Sequence, residues 1–375
     1  MTRETPHQPP DPAAPSAVGD AHAVWEEVAG FLGAAATHGL GEAPKRIDTH
    51  AAAVFLAGSL AYKIKRPVRF PFLDFSTLAL RETACRREID VDRPIAPQIY
   101  RRVVAITREA DGRLALGGAG PAVEWAVEMN RFDETATLDR ALARGPLLPK
   151  LVEDLAGTVA RAQARGRRRE AAPWIADLAA YLDQNAEAFA SRPDLFPIAP
   201  AAALYRRSTE RLAALDDLLV SRGRLGLVRL GHGDLHSGNI AVIDGKAQPF
   251  DAIEFDDAIA TGDVLYDAGF LIMDLADRGD RAGGRLFLDR FLAETVRLEA
   301  AARVGRGAAA GPATVAATLL DEIDGLTALG LFLSIRAALR AKIAAARAPH
   351  LDTAGRTAAE SEARRLFAAA IDHVE

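Results

Sequence analysis

A short polar stretch interrupts the helical pattern in the second half of this chain. The segment HGDLHSGNI contains Asp234 and Asn239, and the segment FDAIEF, with Asp251 as its second residue, follows shortly after. Between them, Asp244-Gly245 is a dipeptide typical of a tight turn between two strands. Such a hairpin would return Asp251 to the side of Asp234 and Asn239. The sequence therefore predicts a cluster of polar side chains inside an otherwise helical region.

Composition excludes several classes of protein. The chain has 375 residues, enough for two separate hydrophobic cores. A formal net charge of −5 and a pI of about 6.0 argue against nucleic acid as a partner. The single cysteine, Cys85, cannot form an intrachain disulfide and fits a reducing cytoplasm. No apolar run reaches the roughly 18 residues of a membrane span. We therefore expect a cytoplasmic protein without a membrane partner, and its oligomeric state stays open.

The pattern of residues changes along the chain and predicts an α+β protein. Residues 1–22 are rich in proline and lack apolar periodicity, so we expect a disordered tail. Residues 23–132 are rich in strand patterns, whereas residues 133–375 are rich in Ala, Leu and Arg at helical spacing. This predicts a small β-rich N-lobe followed by a large, mainly helical C-lobe, which contains the polar segment.

Local patterns define the elements of the predicted N-lobe. The segments AAAVFLAG and SLAYKIKRPV flank Gly58-Ser59 and predict a hairpin. The segment LALRETACRREIDVDR predicts a helix that ends before Pro94. A second hairpin is predicted with its turn at Asp111-Gly112, and AVEWAVEMNRF predicts a further short strand.

The polar segment has the spacing that phosphoryl transfer requires. His232, Asp234 and Asn239 spell H-x-D-x-x-x-x-N, the spacing of a kinase catalytic loop. Such a reaction needs a carboxylate that orients or deprotonates the attacking hydroxyl, and oxygen ligands that hold Mg²⁺ on the phosphates. Asp234 fits the first requirement, and Asn239 with Asp251 fits the second. His232 is expected to orient the loop, and the role of His236 stays open.

These segments resemble the aminoglycoside phosphotransferase-like branch of the protein-kinase-like fold, which also includes choline kinases. HGDLHSGN, the Asp251 segment and GDVLYDAGFL carry the resemblance, and VFLAGSLAYKIKRPVRFPFLDFSTL is similar to one bacterial subfamily. The resemblance covers roughly residues 45–342 and implies a bilobal fold with ATP in the cleft. It does not imply an aminoglycoside substrate. Many subfamily members carry a second nucleotide-binding domain; this sequence contains no G-x-x-x-x-G-K-[ST], so only the first unit is expected.

The resemblance implies a phosphate-binding lysine in the N-lobe. The tetrapeptide LAYK resembles the V-A-I-K strand of kinases, which makes Lys63 the lysine for the α- and β-phosphates. Strand alternation puts Lys65 on the same face. The following helix offers Glu82 and Glu88 as the partner carboxylate, and Glu88 is favoured.

Further roles follow from the same resemblance. Ala61 would lie against the adenine, and backbone amides from Val127 to Met129 would contact it at the hinge. Asp263 occupies the N-cap position of a helix and is expected to support the catalytic loop without chemistry of its own. Some members of the subfamily carry a His-containing helix where this chain has VARAQARG, so the resemblance places Gln163 in the position of that histidine.

The predicted activity is transfer of the γ-phosphoryl group of ATP to a hydroxyl of a small molecule, with Mg²⁺ as cofactor and the substrate unidentified. Two other interpretations remain open. A kinase-like module could bind nucleotide and act as a regulator without turnover. Alternatively, His232, Asp234 and His236 would share one face of a strand and could bind Zn²⁺ in a metallohydrolase.

Overall fold

The computed structural model describes residues 15–70, 73–305 and 309–375. The chain divides into two compact units, the first made of residues up to 93 and 97–131, the second of residues 94–96 and 132–375. The first unit is rich in strands and the second is mainly helical. The predicted α+β class, with a small β-rich part followed by a large helical part, is therefore confirmed. The predicted domain limits at residues 22 and 132 stay a prediction.

The first unit is built on a six-stranded antiparallel sheet with strand order β1-β2-β3-β8-β6-β7. Its elements in chain order are α1 (Pro15–Gly33), β1 (Lys45–Asp48), β2 (Ala52–Ala57), β3 (Leu60–Lys65), β4 (Arg69–Phe70), β5 (Leu73–Asp74), α2 (Leu78–Asp92), β6 (Tyr100–Arg108), β7 (Leu114–Leu116) and β8 (Ala122–Asn130). The strands β4 and β5 form a separate two-stranded ribbon.

Turn chemistry fixes the elements that carry the predicted N-lobe site. Gly58 has φ 62° between β2 and β3, and Gly112 has φ 84° between β6 and β7. These positive angles favour glycine, so both predicted hairpins are confirmed. Helix α2 begins after Thr77, whose side chain accepts a hydrogen bond from the amide of Leu80 at 3.3 Å, and it ends just before Pro94 as predicted.

Helix α1 contradicts part of the predicted disordered tail. It begins at Pro15, so residues 15–22 are helical, while residues 1–14 lie outside the described residues. Trp25, Val28 and Leu32 are fully buried and pack with the sheet residues of the first core. Their helical spacing was hidden by the proline content upstream, yet proline is tolerated in the first turn of a helix. The apolar stripe of α1 belongs to the core of the first unit.

The second unit contains most of the helices. Its elements are α3 (Leu138–Leu142), α4 (Pro149–Arg165), α5 (Ala171–Ala190), α6 (Ile198–Ala214), α7 (Asp216–Arg224), β9 (Val228–Leu230), β10 (Ile240–Ile243), β11 (Lys246–Pro249), α8 (Asp257–Ala260), β12 (Thr261–Asp263), α9 (Val264–Asp277), α10 (Arg281–Val304), α11 (Pro312–Gly325), α12 (Leu329–Arg347) and α13 (Thr353–Val374). Strand β9 pairs with β12, and β10 pairs with β11.

Helix α9 lies at the centre of the second unit. Its residues are buried from Val264 through Leu275. Because a helix that is buried on all sides is surrounded by other elements, α9 offers a rigid support for the polar loop between β9 and β10. In the described part of the chain, no helix combines the length and apolar character that crossing a bilayer requires.

Candidate active site

The hairpin β10–β11 brings the three predicted polar residues into one region. Its turn, Asp244-Gly245, has φ 50° and 74°, the double positive φ of the type I′ turn that the sequence predicts. Beyond the strand pair, the amide of Phe250 donates to the carbonyl of Asn239 at 2.9 Å. The next residue, Asp251, is therefore returned to the end of the polar loop, as the spacing predicted.

Asp234 is held inside the loop by its own neighbours. The side-chain amide of Asn239 donates to the Asp234 carboxylate at 2.9 Å and to the Asp234 carbonyl at 3.1 Å. His236 Nε2 lies 3.5 Å from the same carboxylate oxygen. The Asp234 side chain is 41% exposed, so it is fixed in direction yet accessible from solvent.

The charge state of Asp234 follows from these contacts. The surrounding loop desolvates the carboxylate and so raises its pKa, although part of the side chain reaches solvent; the hydrogen bond and charge of His236, together with other nearby charges, outweigh this effect and bring the pKa to about 2. His236 Nδ1 accepts a hydrogen bond from the amide of Gly238 at 3.0 Å. In neutral His236 the proton therefore lies on Nε2, where it faces Asp234. The carboxylate is ionised throughout the neutral pH range.

His232 has contacts that orient the loop. Its ring is buried, which lowers the pKa of the imidazole, and its Nε2 donates to the carbonyl of Phe250 at 3.0 Å. Its own carbonyl accepts from the amide of Ile253 at 2.9 Å. His232 thus ties the loop to the chain on both sides of Asp251, the arrangement expected for a loop-orienting residue.

The donor set fits Mg²⁺ better than Zn²⁺. The side-chain nitrogen of Asn239 donates both of its hydrogen bonds to oxygens of Asp234. Its side-chain oxygen therefore points away from Asp234, where it can bind a hard cation. Asp251 is exposed and supplies a carboxylate next to it along the hairpin. Two such oxygen ligands suffice for Mg²⁺, which retains waters and phosphate oxygens as its other ligands.

The proposed zinc triad is not assembled. His232 Nε2 faces the Phe250 carbonyl, and His236 uses Nδ1 for the Gly238 amide and Nε2 for Asp234. Within residues 15–70, 73–305 and 309–375, no group of three or more His, Cys, Asp or Glu side chains could hold a metal ion. The alternative metallohydrolase interpretation therefore lacks its ligand set.

Asp267, not Asp263, braces the polar loop between β9 and β10. Its two carboxylate oxygens accept from the backbone amides of His232 at 3.0 Å and Gly233 at 2.9 Å. Asp263 caps α9 through the amide of Leu265 at 2.8 Å, as predicted, but its carboxylate otherwise binds Arg222 at 2.6 and 2.9 Å. The expectation that Asp263 supports the loop is therefore corrected by four residues, about one helical turn.

Other supports of the loop left little trace in the sequence. Asp274, two turns further along α9, accepts from the amide of Ser237 at 2.9 Å. Arg336 is buried on α12, donates to the carbonyl of Gly233 at 3.0 Å, and lies over the ring of Tyr266. These contacts join distant positions of the chain, and no short motif signals them.

Gln163 fills the space beside the bracing carboxylate. It is buried on α4, and its side-chain amide donates to Asp267 at 3.1 Å and to the carbonyl of Val264 at 3.2 Å. Gln163 therefore binds Asp267, the residue that holds the loop, and it connects the VARAQARG segment to the candidate site.

The first unit contains a second cluster of charged side chains. Lys63 Nζ lies 3.0 Å from Glu88 Oε1, and Lys65 Nζ lies 2.6 Å from Glu88 Oε2. Glu82, the other candidate, instead binds Arg86 on the exposed face of α2 at 2.7 Å. The structure thus joins Glu88 to Lys63, and it adds Lys65, which the sequence did not link to this carboxylate.

The predicted adenine contact at the end of β8 requires correction. Val127 pairs with Lys63 of β3 and with Val103 of β6, and Met129 likewise has partners in both neighbouring strands. Because β8 lies inside the sheet, its backbone amides serve the sheet ladder and cannot also serve an adenine ring. Ala61 is buried opposite Met129. No amide between Val127 and Met129 is carried forward as an adenine ligand.

These parts occur in the order that the sequence resemblance implies. A strand carries Lys63, the following helix carries Glu88, and the H-x-D-x-x-x-x-N loop comes later, followed by Asp251 beyond a hairpin. Kinases use a strand lysine paired with a helix glutamate, and a catalytic loop followed by a metal-binding aspartate.

Comparison with known sequences gives distant relatives without a described activity. No family model matches the sequence. Uncharacterized proteins Rv2004c and MT2060 of Mycobacterium tuberculosis (strains ATCC 25618 / H37Rv and CDC 1551 / Oshkosh) and Mb2027c of Mycobacterium bovis are each 28% identical over 245 residues. The match covers 64% of this chain and 47% of each relative. The chain therefore spans about half the length of the curated relatives it matches.

Solved structures that resemble this chain include several small-molecule kinases. An ethanolamine kinase of Plasmodium vivax is 9% identical, with 87% of this chain and 81% of that chain covered and a TM-score of 0.44. A choline/ethanolamine kinase family protein from Mesorhizobium loti is 14% identical, with 94% and 99% covered and a TM-score of 0.39. The protein in the streptomycin–ATP–APH(2")-IIa ternary complex is 13% identical, with 91% of this chain and 97% of that chain covered and a TM-score of 0.42. None of these similarities assigns a role to a residue of this chain.

Proposed function

We propose that this protein is an ATP-dependent phosphotransferase that moves the γ-phosphoryl group to a hydroxyl of a small molecule. One observation carries the proposal: Asn239 holds the Asp234 carboxylate at 2.9 Å, while the hairpin returns Asp251 to the same loop. This arrangement supports the proposal, because phosphoryl transfer needs a base, together with oxygen ligands for Mg²⁺ on the phosphates.

Asp234 is the residue that acts on the substrate hydroxyl. With a pKa of about 2 it is ionised at neutral pH and can accept a hydrogen bond from the hydroxyl, which orients the oxygen for in-line attack. Because phosphoryl transfer passes through a loose transition state, the hydroxyl proton needs to move only late in the reaction, so a weak base is adequate. The proton leaves the hydroxyl for Asp234 as the new O–P bond forms and the bond to the leaving phosphate breaks.

Asn239 and Asp251 are the proposed metal ligands. Mg²⁺ held by these oxygens would neutralise charge on the nucleotide phosphates. Asp251 has φ 62°, a left-handed conformation that Asp and Asn tolerate better than other side chains. Its place directly after the hairpin therefore suits a residue that must present a carboxylate from a fixed backbone.

Lys63 is the proposed ligand for the nucleotide phosphates. Its ammonium group, held by Glu88, is 14% exposed, so it is oriented by a buried carboxylate and still reachable. An ammonium on a strand face is a compact point charge suited to phosphate oxygens. The substrate is proposed to be a small molecule, and no residue described above selects one class of hydroxyl compound.

Two variants test the assigned roles against each other. Asp234→Asn should lower turnover by roughly 10²–10⁴-fold, the usual worth of a positioned base, and leave Mg·ATP affinity nearly intact. Asp251→Asn should weaken Mg·ATP binding, because a neutral amide replaces a hard anionic ligand, while Asn still tolerates the left-handed backbone. Calorimetric titration of Mg·ATP gives the affinities, and ADP release with a panel of hydroxylated metabolites gives turnover.

The same measurements separate the other interpretations. A wild-type protein that fails to bind Mg·ATP would refute the kinase proposal. Loss of nucleotide binding in Asp234→Asn with normal binding in Asp251→Asn would show that the two roles are reversed. Binding of Mg·ATP without ADP release for any acceptor in the panel would favour the regulatory module.

A further inference from the structure

Two lysines share one buried carboxylate in the first unit. Strand alternation on β3 puts Lys63 and Lys65 on the same face, while Ile64 between them points into the hydrophobic core. Each lysine takes a different oxygen of Glu88, Lys63 at 3.0 Å and Lys65 at 2.6 Å. A strand lysine paired with a helix glutamate needs only one ammonium group, so the second lysine calls for its own explanation.

The two lysines differ in how firmly they are held. The Lys65 side chain is 2% exposed and the Lys63 side chain 14%. The Lys65 ammonium also lies 5.4 Å from the ring centroid of Phe75, and its backbone carbonyl accepts from Trp25 Nε1 at 2.8 Å. Lys65 is thus fixed through both its backbone and its side chain, whereas Lys63 is the more accessible of the two.

Burial makes this difference important. Glu88 is 1% exposed, and a buried carboxylate that loses its cation is left with a large desolvation cost. If Lys63 alone paired with Glu88, its movement towards a phosphate would leave the carboxylate uncompensated. With Lys65 in place, Glu88 keeps a cation while Lys63 changes partner.

We infer that Lys65 is a positioning residue, which holds Glu88 and helix α2 in place so that Lys63 can exchange Glu88 for a phosphate oxygen. The phosphate part of this inference rests on the proposed function. The part that concerns Glu88 and α2 does not, because it is a property of the protein without nucleotide.

Hydrogen–deuterium exchange of α2 in the nucleotide-free protein tests the positioning part. Lys65→Met should raise the exchange rate of the α2 amides by about tenfold or more, because the main cation of a buried carboxylate is lost. Lys63→Met should raise it clearly less. Glu82→Gln is the matched control, since it removes a carboxylate from the exposed face of the same helix and should leave exchange unchanged.

A double variant shows whether Lys65 acts through the carboxylate. In Glu88→Gln the partner of Lys65 is already gone, so adding Lys65→Met should raise α2 exchange no further. Equal effects of Lys63→Met and Lys65→Met on α2 exchange would overturn the inference. So would a large additional effect of Lys65→Met in the Glu88→Gln background.

Titration with Mg·ATP tests the part that rests on the proposed function. Lys63→Met should weaken binding by about tenfold or more, because a charge-assisted phosphate contact is lost. Adding Lys65→Met to Lys63→Met should weaken binding no further, since Lys65 acts through Glu88 and Lys63. Additive losses would mean that Lys65 contacts phosphate itself and would overturn the inference. If the wild type binds no Mg·ATP, the proposed function fails, and the exchange experiment still decides the role of Lys65.

Discussion

His236 sets the charge state of the residue that does the proposed chemistry. Burial of Asp234 favours its neutral form, and the facing Nε2–H of His236 favours the ionised form. The second effect wins because the charges of His236, His232 and Arg340 add to the hydrogen bond from His236. The pKa of the proposed catalytic carboxylate is thus lowered largely by a residue of its own loop, two positions along the chain.

Replacing His236 by Asn should raise the pKa of Asp234 from about 2. The Asn oxygen can replace Nδ1 as the acceptor for Gly238, but the shorter side chain has no donor at the position of Nε2, so Asp234 keeps only the hydrogen bond from Asn239. Since Asp234 is proposed to act in its ionised form, the acid limb of the pH–activity profile should move to higher pH. The stability that an ionised Asp234 contributes is present above its unfolded pKa and is lost as pH falls through its folded pKa. This contribution should shrink in the variant.

Replacing His236 by Gln provides the matched control. The Gln amide nitrogen can take the place of Nε2 as a donor to Asp234, so the pKa of Asp234 should stay low. Carbon NMR of the Asp234 carboxyl group measures both pKa values directly. An Asp234 titration that is the same in the wild type and in His236→Asn would show that the histidine does not control it.

At the scale of elements, the start of helix α9 carries two aspartates with different functions. Asp263 satisfies the first turn of the helix and binds the buried guanidinium of Arg222, whose pKa is raised by this partnership despite burial. Asp267 lies one turn later and holds the amides of His232 and Gly233. The N-cap residue of this helix thus contributes to stability, and a residue one turn later supports the candidate site.

Asn substitutions at these two positions should separate the two effects. Asp267→Asn offers one oxygen to two backbone amides, so one buried amide is left unsatisfied at a cost of about 1–3 kcal/mol, and turnover should fall. Asp263→Asn deprives buried Arg222 of the nearer of its two carboxylate partners and leaves only Glu322 at 3.3 Å, which should cost up to about 3–5 kcal/mol of stability. Urea unfolding measures stability, and turnover is measured at a temperature at which both variants are folded.

The outcome expected for Asp263→Asn is a large loss of stability with near-normal turnover of the folded fraction. For Asp267→Asn we expect a smaller loss of stability and a clear loss of turnover. If Asp263→Asn lowered turnover more than Asp267→Asn under these conditions, the loop would depend on the N-cap aspartate after all.

The sequence predicts the local parts of this architecture well. Gly58-Ser59, Asp111-Gly112 and the turn of β10–β11 are correctly placed, because the backbone angles of a tight turn are encoded by the residues within it. The return of Asp251 towards Asn239 follows from one such turn.

The sequence fails where partners are distant in the chain. The amides between Val127 and Met129 are consumed by two neighbouring strands, and this can be seen only once the strand order is known. Asp267, and not Asp263, holds the loop because it accepts hydrogen bonds from backbone amides more than thirty residues earlier in the chain. The sequence predicts where a helix begins. Which of its carboxylates accepts from a given backbone amide depends on how the helix packs against other elements.

At the scale of the whole molecule, each unit has a hydrophobic core of its own. The cluster that contains Trp25 draws only on the first unit, and the cluster that contains Trp174 draws only on the second. Among the described residues, no buried apolar cluster includes members of both units. Cores that share no residues can open separately, because local unfolding follows contiguous cooperative groups.

Trp25 and Trp174 form a matched pair for testing this independence. Both are buried, at 0% and 1% exposure, and Trp174 packs against the rings of Tyr266 and Phe332 at 5.8 Å each. Replacing a buried Trp by Ala costs about 3–5 kcal/mol. We expect Trp25→Ala to raise hydrogen exchange in β2, β3 and β8, and Trp174→Ala to raise it in α5, α9 and α12.

The two substitutions should also differ in their effects on Mg·ATP affinity and on turnover. Trp25 donates to the carbonyl of Lys65, so Trp25→Ala should loosen the strand that carries both lysines and weaken Mg·ATP binding. Trp174 packs against Tyr266, the residue next to Asp267 in the chain, so Trp174→Ala should lower turnover more than nucleotide affinity. Exchange that rises equally in both units for either variant would mean that the chain unfolds as one cooperative body, despite its separate cores.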